Sequence, residues 1–256
     1  MRWFGSSLEL VCIDFTTVLG PGASVGSAHG DIGGHRGGET LMATTRRGEV
    51  TREAFVTAAR ELIAEQGFFA TTVNQIANRA GRAAGSFYNY FDSREDLLAA
   101  LFADFKAEVM DGVASVPVDP GGDPRVQLER VIRNYWLTYR KWLPELVGVF
   151  QLSMTNPEFH VRWQEIRVDA VGAIRWWVIR AQREGHAVGL EPDLAASALG
   201  AMLDNFCFVW VARGGDVPGV ELDDEAAIQT LTLLWYRSLF DGAGSSDHVD
   251  VGGDER

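Results

Sequence analysis

From Thr51 onward the apolar residues recur three and four apart and nowhere alternate over the length of a strand. A chain patterned this way buries helical stripes against one another and does not build a sheet. Thr51, followed by Arg52, Glu53 and Ala54, reads as a helix start; Phe55, Ala58, Ala59, Leu62 and Ile63 form its buried stripe, and Gly67 stops it. Thr72 caps a short second helix that ends near Arg79 with Val73, Ile76, Ala77 and Ala80 inward, and Gly81 then turns the chain. A third short helix is expected from about Ala83 to Phe91. A fourth begins after Ser93 with Glu95 and Asp96 in its first turn, where the helix dipole favours acids. Helix, short helix, glycine turn, short helix is the spacing of a helix-turn-helix. Proline and glycine signals divide the remainder into long helices at about 94–114, 124–143, 145–154, 158–184, 192–212 and 223–240.

With 256 residues, 46% of them hydrophobic, the chain can bury one large core or two smaller ones. Its net charge of −12 excludes a protein coated with nucleic acid along its length. The charge is uneven. Between Arg46 and Arg94 seven arginines face five acids, and from Gln66 to Phe91 there is no acid at all, although Arg79 and Arg82 lie inside that stretch. A local anion-facing surface is expected from this. Two cysteines, Cys12 and Cys207, are too few and too far apart for a disulfide framework or a zinc cluster. No apolar run reaches the roughly 18 residues of a membrane helix, and Glu9 and Asp14 interrupt the N-terminal apolar residues where a secretion signal would be continuous. A reduced, cytoplasmic protein with no membrane partner is expected.

Residues 1–45 hold nine glycines and read as a disordered tail, with Met42 opening a self-contained segment that suggests an overextended gene start. Within the tail, G-P-G-A-S-V-G after L-E-L-V-C-I-D-F imitates a dinucleotide-binding loop, but no helix follows to hold a pyrophosphate. His29, Asp31 and His35 lie in the same glycine-rich stretch and are read as solvated, so neither a cofactor nor a metal is expected. Residues 243–256 read as a second disordered tail.

The stretch G-S-F-Y-N-Y-F-D-S-R-E-D-L-L, residues 85–98, carries the chemistry. On a helix Phe87 and Phe91 share one face and anchor inward, leaving Ser86, Asn89 and Tyr90 on the other side with Tyr88 beside them. Hydroxyls and an amide suit base edges and phosphate oxygens. Gly85 removes a side chain where a helix must lie close to DNA, and Arg94 adds a cation at the next helix start. Together with T-T-V-N-Q-I-A-N-R-A-G-R-A-A before it, this region resembles the DNA-binding half of the TetR family of repressors, over about residues 47–105. The resemblance implies an all-α chain: a three-helix helix-turn-helix domain at 46–93, then a helical bundle at 94–242 for ligand binding and dimerisation. Carried over position by position, it implies DNA contacts at Thr72, Asn74, Ala84, Gly85, Ser86, Tyr88, Asn89, Tyr90 and Arg94, with a basic arm at Arg46 and Arg47. In that assignment Tyr88 and Arg94 hold phosphates, and Asn74, Ser86 and Asn89 read bases. Two positions depart from the family pattern. Arg82 replaces an apolar residue and is expected to reach phosphate, and Ala83 replaces the usual Ser or Thr cap, forfeiting roughly 1 kcal/mol.

For the bundle the resemblance implies a pocket for a small hydrophobic effector and a two-fold homodimer through the last two helices. The residues allow both. Ala195 to Ala201 is a small-residue run that permits close helix packing, and Ile228, Leu231, Leu234, Trp235 and Leu239 form an apolar face on the final helix. Trp136, Tyr139, Phe150, Met154, Trp163, Arg167, Trp177, Asn205 and Phe206 are the candidates for a pocket that takes a largely apolar molecule with one polar head. Asp204 and Asn205, set in an apolar run, need partners, either a ligand or a hydrogen bond across the dimer. The expected function is a ligand-responsive repressor released from a palindromic operator. The alternatives are a helical carrier of hydrophobic ligands, against which the first ninety residues argue, and an enzyme, for which there is no nucleophile elbow, P-loop or paired histidines.

Overall fold

The computed structural model describes residues 37–115 and 121–241, with side chains from Arg46 onward. The two expected tails, the loop-like glycine motif, Cys12 and the tail histidines therefore lie outside the described residues, apart from the helical backbone at 37–45. By its contacts the chain forms two units, Met1–Thr45 and Arg46–Arg256, and every described side chain belongs to the second.

Every regular element among the described residues is helical. The helices are α1 (Gly37–Gln66), α2 (Val73–Arg79), α3 (Ala84–Phe87), α4 (Arg94–Ala114), α5 (Pro124–Lys141), α6 (Leu143–Thr155), α7 (Pro157–Arg183), α8 (Pro192–Cys207) and α9 (Asp224–Phe240). A π-helical turn, Phe208–Ala212, extends α8.

Two boundaries differ from those the sequence suggests. Helix α1 starts at Gly37, well before Thr51, and the Thr51 hydroxyl donates to the Arg47 carbonyl one turn back (2.9 Å) in place of capping. Helix α3 spans only Ala84–Phe87, because Ala83 offers no side-chain cap and the chain leaves the helix at Tyr88.

The start of α2 is as expected. Thr72 and Gln75 form a capping box, the Gln75 amide donating to the Thr72 hydroxyl while Gln75 Oε1 accepts from the Thr72 amide (2.8 Å). Its end is a Schellman turn. The amide of Arg82 donates to the Ala77 carbonyl (2.9 Å) and that of Gly81 to Asn78 (3.1 Å), with Gly81 at φ +64°, where a side chain would be strained.

The first three helices close on an aromatic core. Phe55 of α1 meets Phe87 edge-on at 5.4 Å, Phe87 lies 5.4 Å from Phe91, and Arg52 covers Phe91 at 5.2 Å. Ile76, Ala77, Leu97 and Leu98 complete it, all buried. Burial of each large apolar side chain contributes about 1.5–3 kcal/mol, so a four-residue α3 that could not persist alone is held by Phe87 and Phe91.

The bundle packs α4 against α5, α6 and α7, α5 against α9, and α7 against α8. Helices α7 and α8 approach closely at Gly200, where a Cβ would stand 3.1 Å from Ile174 Cδ1. One helical run among the described residues, Pro192–Ala212, is long and apolar enough to cross a membrane, which corrects the expectation that none reaches that length; only 28% of its apolar window is buried.

Candidate nucleic-acid interface and an interior polar cluster

Helices α2 and α3 present a surface whose polar side chains are open. Asn74, Asn78, Arg82 and Asn89 are exposed, and so is Tyr88, at 58%, with its ring edge-on to Phe87. The Arg82 guanidinium makes only a long contact to the neighbouring Gly81 carbonyl (3.4 Å), so it remains available to an anion. Gly85 faces open space: a Cβ there would meet no atom within 4 Å. Packing within the chain does not require glycine at this point. Arg46 and Arg47 are exposed on α1, and Ala84 is half-buried.

Several expected contact residues are engaged inside the protein. Arg94 does not project as a free phosphate ligand. Its Nη1 donates to the carbonyls of Thr71 (2.9 Å), Phe69 (3.2 Å) and Phe68 (3.5 Å), its Nε to Glu95 (3.0 Å), and its guanidinium lies 4.9 Å from the centre of the Phe68 ring. It fastens the α1–α2 turn to the start of α4. Arg79, expected to add to the anion-facing surface, forms a two-pronged pair with Glu65 (2.9 and 2.8 Å) and reaches Glu61 (3.2 Å); hydrogen bonding to Arg79 holds the Glu65 carboxyl below its usual range. The Ser86 hydroxyl donates to the Ala83 carbonyl (2.7 Å), Thr72 is occupied by its capping box, and Tyr90 is half-buried against Phe55 (5.9 Å). On α2, the turn and α3 with the residues after it, Asn74, Arg82, Tyr88 and Asn89 remain open among the described residues, with Arg46 and Arg47 exposed on α1.

The bundle interior holds a polar cluster only partly visible in the sequence. Asp204 of α8 pairs with Arg167 of α7 (2.7 Å) and accepts a short hydrogen bond from the Tyr135 hydroxyl of α5. Burial pushes the Asp204 carboxyl up, with Arg167 and Tyr135 drawing it partly back down, and burial also raises the Tyr135 and Cys207 groups. Arg167 lies 4.6 Å from the centre of the Trp163 ring, which stacks on His160 at 5.5 Å. Beside Tyr135, at 6.0 Å between rings, Tyr139 is 1% exposed and its hydroxyl has no hydrogen-bond partner among the described residues.

The remaining expected pocket residues divide. Trp136 is fully buried and donates to Asp224 (3.1 Å), Trp177 is buried against Trp176, and Phe150 and Phe206 are half-buried beside Phe208 and Trp136. Met154 is 74% exposed and does not face the interior. Asn205 is exposed on the outer face of α8, in line with Leu194, Ala198 and Ala201. Asp204, expected to need a ligand or a partner across a dimer, finds Arg167 and Tyr135 within the same chain, and Tyr135 is the member of the cluster that the sequence did not single out. The apolar face expected on α9 is internal too. Ile228, Leu231, Trp235 and Leu239 are buried in the protomer, and of the five only Leu234 is exposed.

Comparison with known proteins bears on both regions. The profile of the family described as bacterial regulatory proteins, tetR family, matches residues 55–101. The HTH-type transcriptional repressor AcnR of Corynebacterium diphtheriae is 25% identical over 177 residues, covering 66% of this chain and 85% of that one. The HTH-type transcriptional regulator EthR of Mycolicibacterium smegmatis is 23% identical over 194 residues, 75% of this chain and 88% of that one. Among solved structures, the transcriptional regulator FadR from Bacillus subtilis in complex with stearoyl-CoA superposes with a TM-score of 0.60 at 22% identity, covering 73% of this chain and 98% of that one.

Proposed function

The chain belongs to the TetR family of transcriptional regulators, and from that premise we propose that it is a repressor that leaves a palindromic operator when a small, largely apolar effector enters the bundle. The observation that carries the DNA half is the open, acid-free surface of α2 and α3, with Asn74, Arg82, Tyr88 and Asn89 unpaired. In this reading residues 46–93 bind the operator and residues 94–242 bind effector and partner subunit, so the protein acts in the cytoplasm and is not an enzyme.

The effector half rests on Tyr139. A buried hydroxyl without a partner costs about 1–3 kcal/mol, and a ligand with a polar head beside the Asp204–Arg167 pair relieves that cost. Trp163 and Phe206 supply apolar wall. An acyl chain fits this chemistry, and the structurally similar FadR is complexed with stearoyl-CoA.

The run Pro192–Ala212 is better explained by a second copy of the chain than by a membrane. Its exposed stripe, Leu194, Ala198, Ala201 and Asn205, is small enough for close helix packing, and the Asp204–Arg167 ion pair at its middle would be costly in lipid.

The experiment is fragment capture from genomic DNA with the purified full chain, followed by anisotropy titration of a captured site with and without long-chain acyl-CoA. Sequence-specific binding lost on adding the acyl-CoA, and retained in Tyr139→Phe, is the expected result. Absence of any captured sequence would overturn the operator reading. Capture without release by any apolar ligand would overturn only the effector half.

A further inference from the structure

A groove of about 610 Å3 separates α1 from the bundle, well apart from the α2–α3 surface and the Asp204 cluster. Its lining includes six carboxylates, Glu53, Glu61, Asp104, Glu108, Asp111 and Glu145, against two cations, Arg60 and Lys141, an excess of four negative charges. Three of the acids are already paired: Glu145 with Arg60 (2.7 Å), Glu108 with Lys141 (2.8 Å) and Glu61 with Arg79 (3.2 Å). Glu53, Asp104 and Asp111 form no ion pair among the described residues.

A second observation points to an occupant. Glu145 is only 4% exposed and lines the groove, yet among the described residues its Oε2 has no hydrogen-bond partner while Oε1 is held by Arg60. A carboxylate oxygen removed from water without a donor is unfavourable, and an ammonium group corrects it. Asp104 is exposed on the groove wall, where partial desolvation and the charge of Glu53 push its carboxyl up while Arg52 and Arg60 favour its ionisation.

The spacing of the acids selects the kind of cation. No group of three His, Cys, Asp or Glu side chains among the described residues converges closely enough to hold a metal ion. The acids instead line both walls, Glu53 and Glu61 on α1 and Asp104, Glu108 and Asp111 on α4, with Val56 and Trp142 as apolar lining. A ligand with several ammonium groups joined by methylene segments suits acids and apolar side chains lining one groove.

We propose that this groove binds an aliphatic polyamine, with its ammonium groups against Glu53, Asp104, Asp111 and the free oxygen of Glu145. The site joins α1 to α4 and α6, so an occupant fastens the first helix to the bundle. Polyamine binding here requires neither an operator on α2 and α3 nor an effector beside Asp204.

The test is calorimetric titration of the full chain with spermidine, without DNA, using magnesium chloride at matched ionic strength as competitor. One spermidine per chain is expected, undisturbed by magnesium and weakened on the order of ten-fold in Asp104→Asn/Asp111→Asn, a loss consistent with two exposed charge contacts. Should that double variant fail to unfold cooperatively, Glu53→Gln on the exposed face of α1 is expected to weaken binding in the same direction. Several weak sites per chain, displacement by magnesium, or affinity unchanged by these substitutions would each overturn the proposal, because diffuse attraction to a chain of charge −12 behaves in that way.

Discussion

Gly148 of α6 lies directly against Phe68 in the α1–α2 turn: a Cβ on Gly148 would stand 2.8 Å from the Phe68 Cβ. Both atoms are fixed close to backbone, so neither can swing aside. This contact joins the helix-turn-helix to the bundle at a point where any movement of α6 is felt by the turn preceding α2. Replacement Gly148→Ala is therefore expected to cost about 1–3 kcal/mol through overpacking and to shift DNA affinity at the same time. Urea unfolding paired with operator titration checks it; a variant of unchanged stability would mean that the helices separate freely here.

Two arginines that look alike in sequence have different tasks. Arg94 holds three carbonyls of the α1–α2 turn, whereas Arg82 is open to solvent. Arg94→Ala should lower stability by roughly 1–3 kcal/mol, the cost of leaving those acceptors without a charged donor. Arg82→Ala should leave stability unaltered and reduce the salt slope of DNA binding by about one unit. Exchange of these two phenotypes would reverse the assignment.

Gly85 offers a sharper separation of fold from function. Nothing in the protein occupies the space where its side chain would be, and alanine is better than glycine in a helix by about 0.5–1 kcal/mol. Gly85→Ala should raise the melting temperature while weakening operator binding. A variant that is more stable and binds DNA equally well would show that no duplex approaches this position.

The Asp204 cluster predicts a pH dependence of definite sign. Burial raises the folded-state value of this carboxyl above its unfolded value, against the opposing pull of Arg167 and Tyr135. Between those two values the folded chain holds more protons on Asp204 than the unfolded chain does. The stabilising contribution of that extra proton is thus present at the acid end of the window and is lost as pH rises through the folded value. In urea unfolding at a series of pH values, the natural chain should gain stability relative to Asp204→Asn as pH falls through the window. The opposite slope would mean that the ion pair with Arg167 outweighs burial.

The local signals were readable in the sequence because each acts over a few residues. Thr72 with Gln75 announces the start of α2, Gly81 its end, and the four-residue spacing of Phe87 and Phe91 the inward face. Roles decided by partners far along the chain were not readable. Arg94 is claimed by carbonyls 23 to 26 residues away, and Arg79 by Glu61 and Glu65 on the preceding helix. Likewise the apolar stripe of α9 satisfies a helical pattern equally well facing the protomer core or a second subunit. Packing against α5 decides for the core, and periodicity alone carries no information on which neighbour covers a face.

The division between Phe55, Phe87 and Phe91, which hold α3 in place, and Asn74 of α2 with Tyr88 and Asn89 after α3, which are exposed, has an evolutionary consequence. Asn74 and Asn89 are exposed, and Tyr88, though edge-on to Phe87, is 58% exposed, so substitutions in the second set leave the buried contacts of Phe55, Phe87 and Phe91 with one another in place. On the proposed DNA-binding reading, a duplicated copy of this gene could acquire a new operator by changing a few open side chains, one at a time, without disturbing the aromatic core.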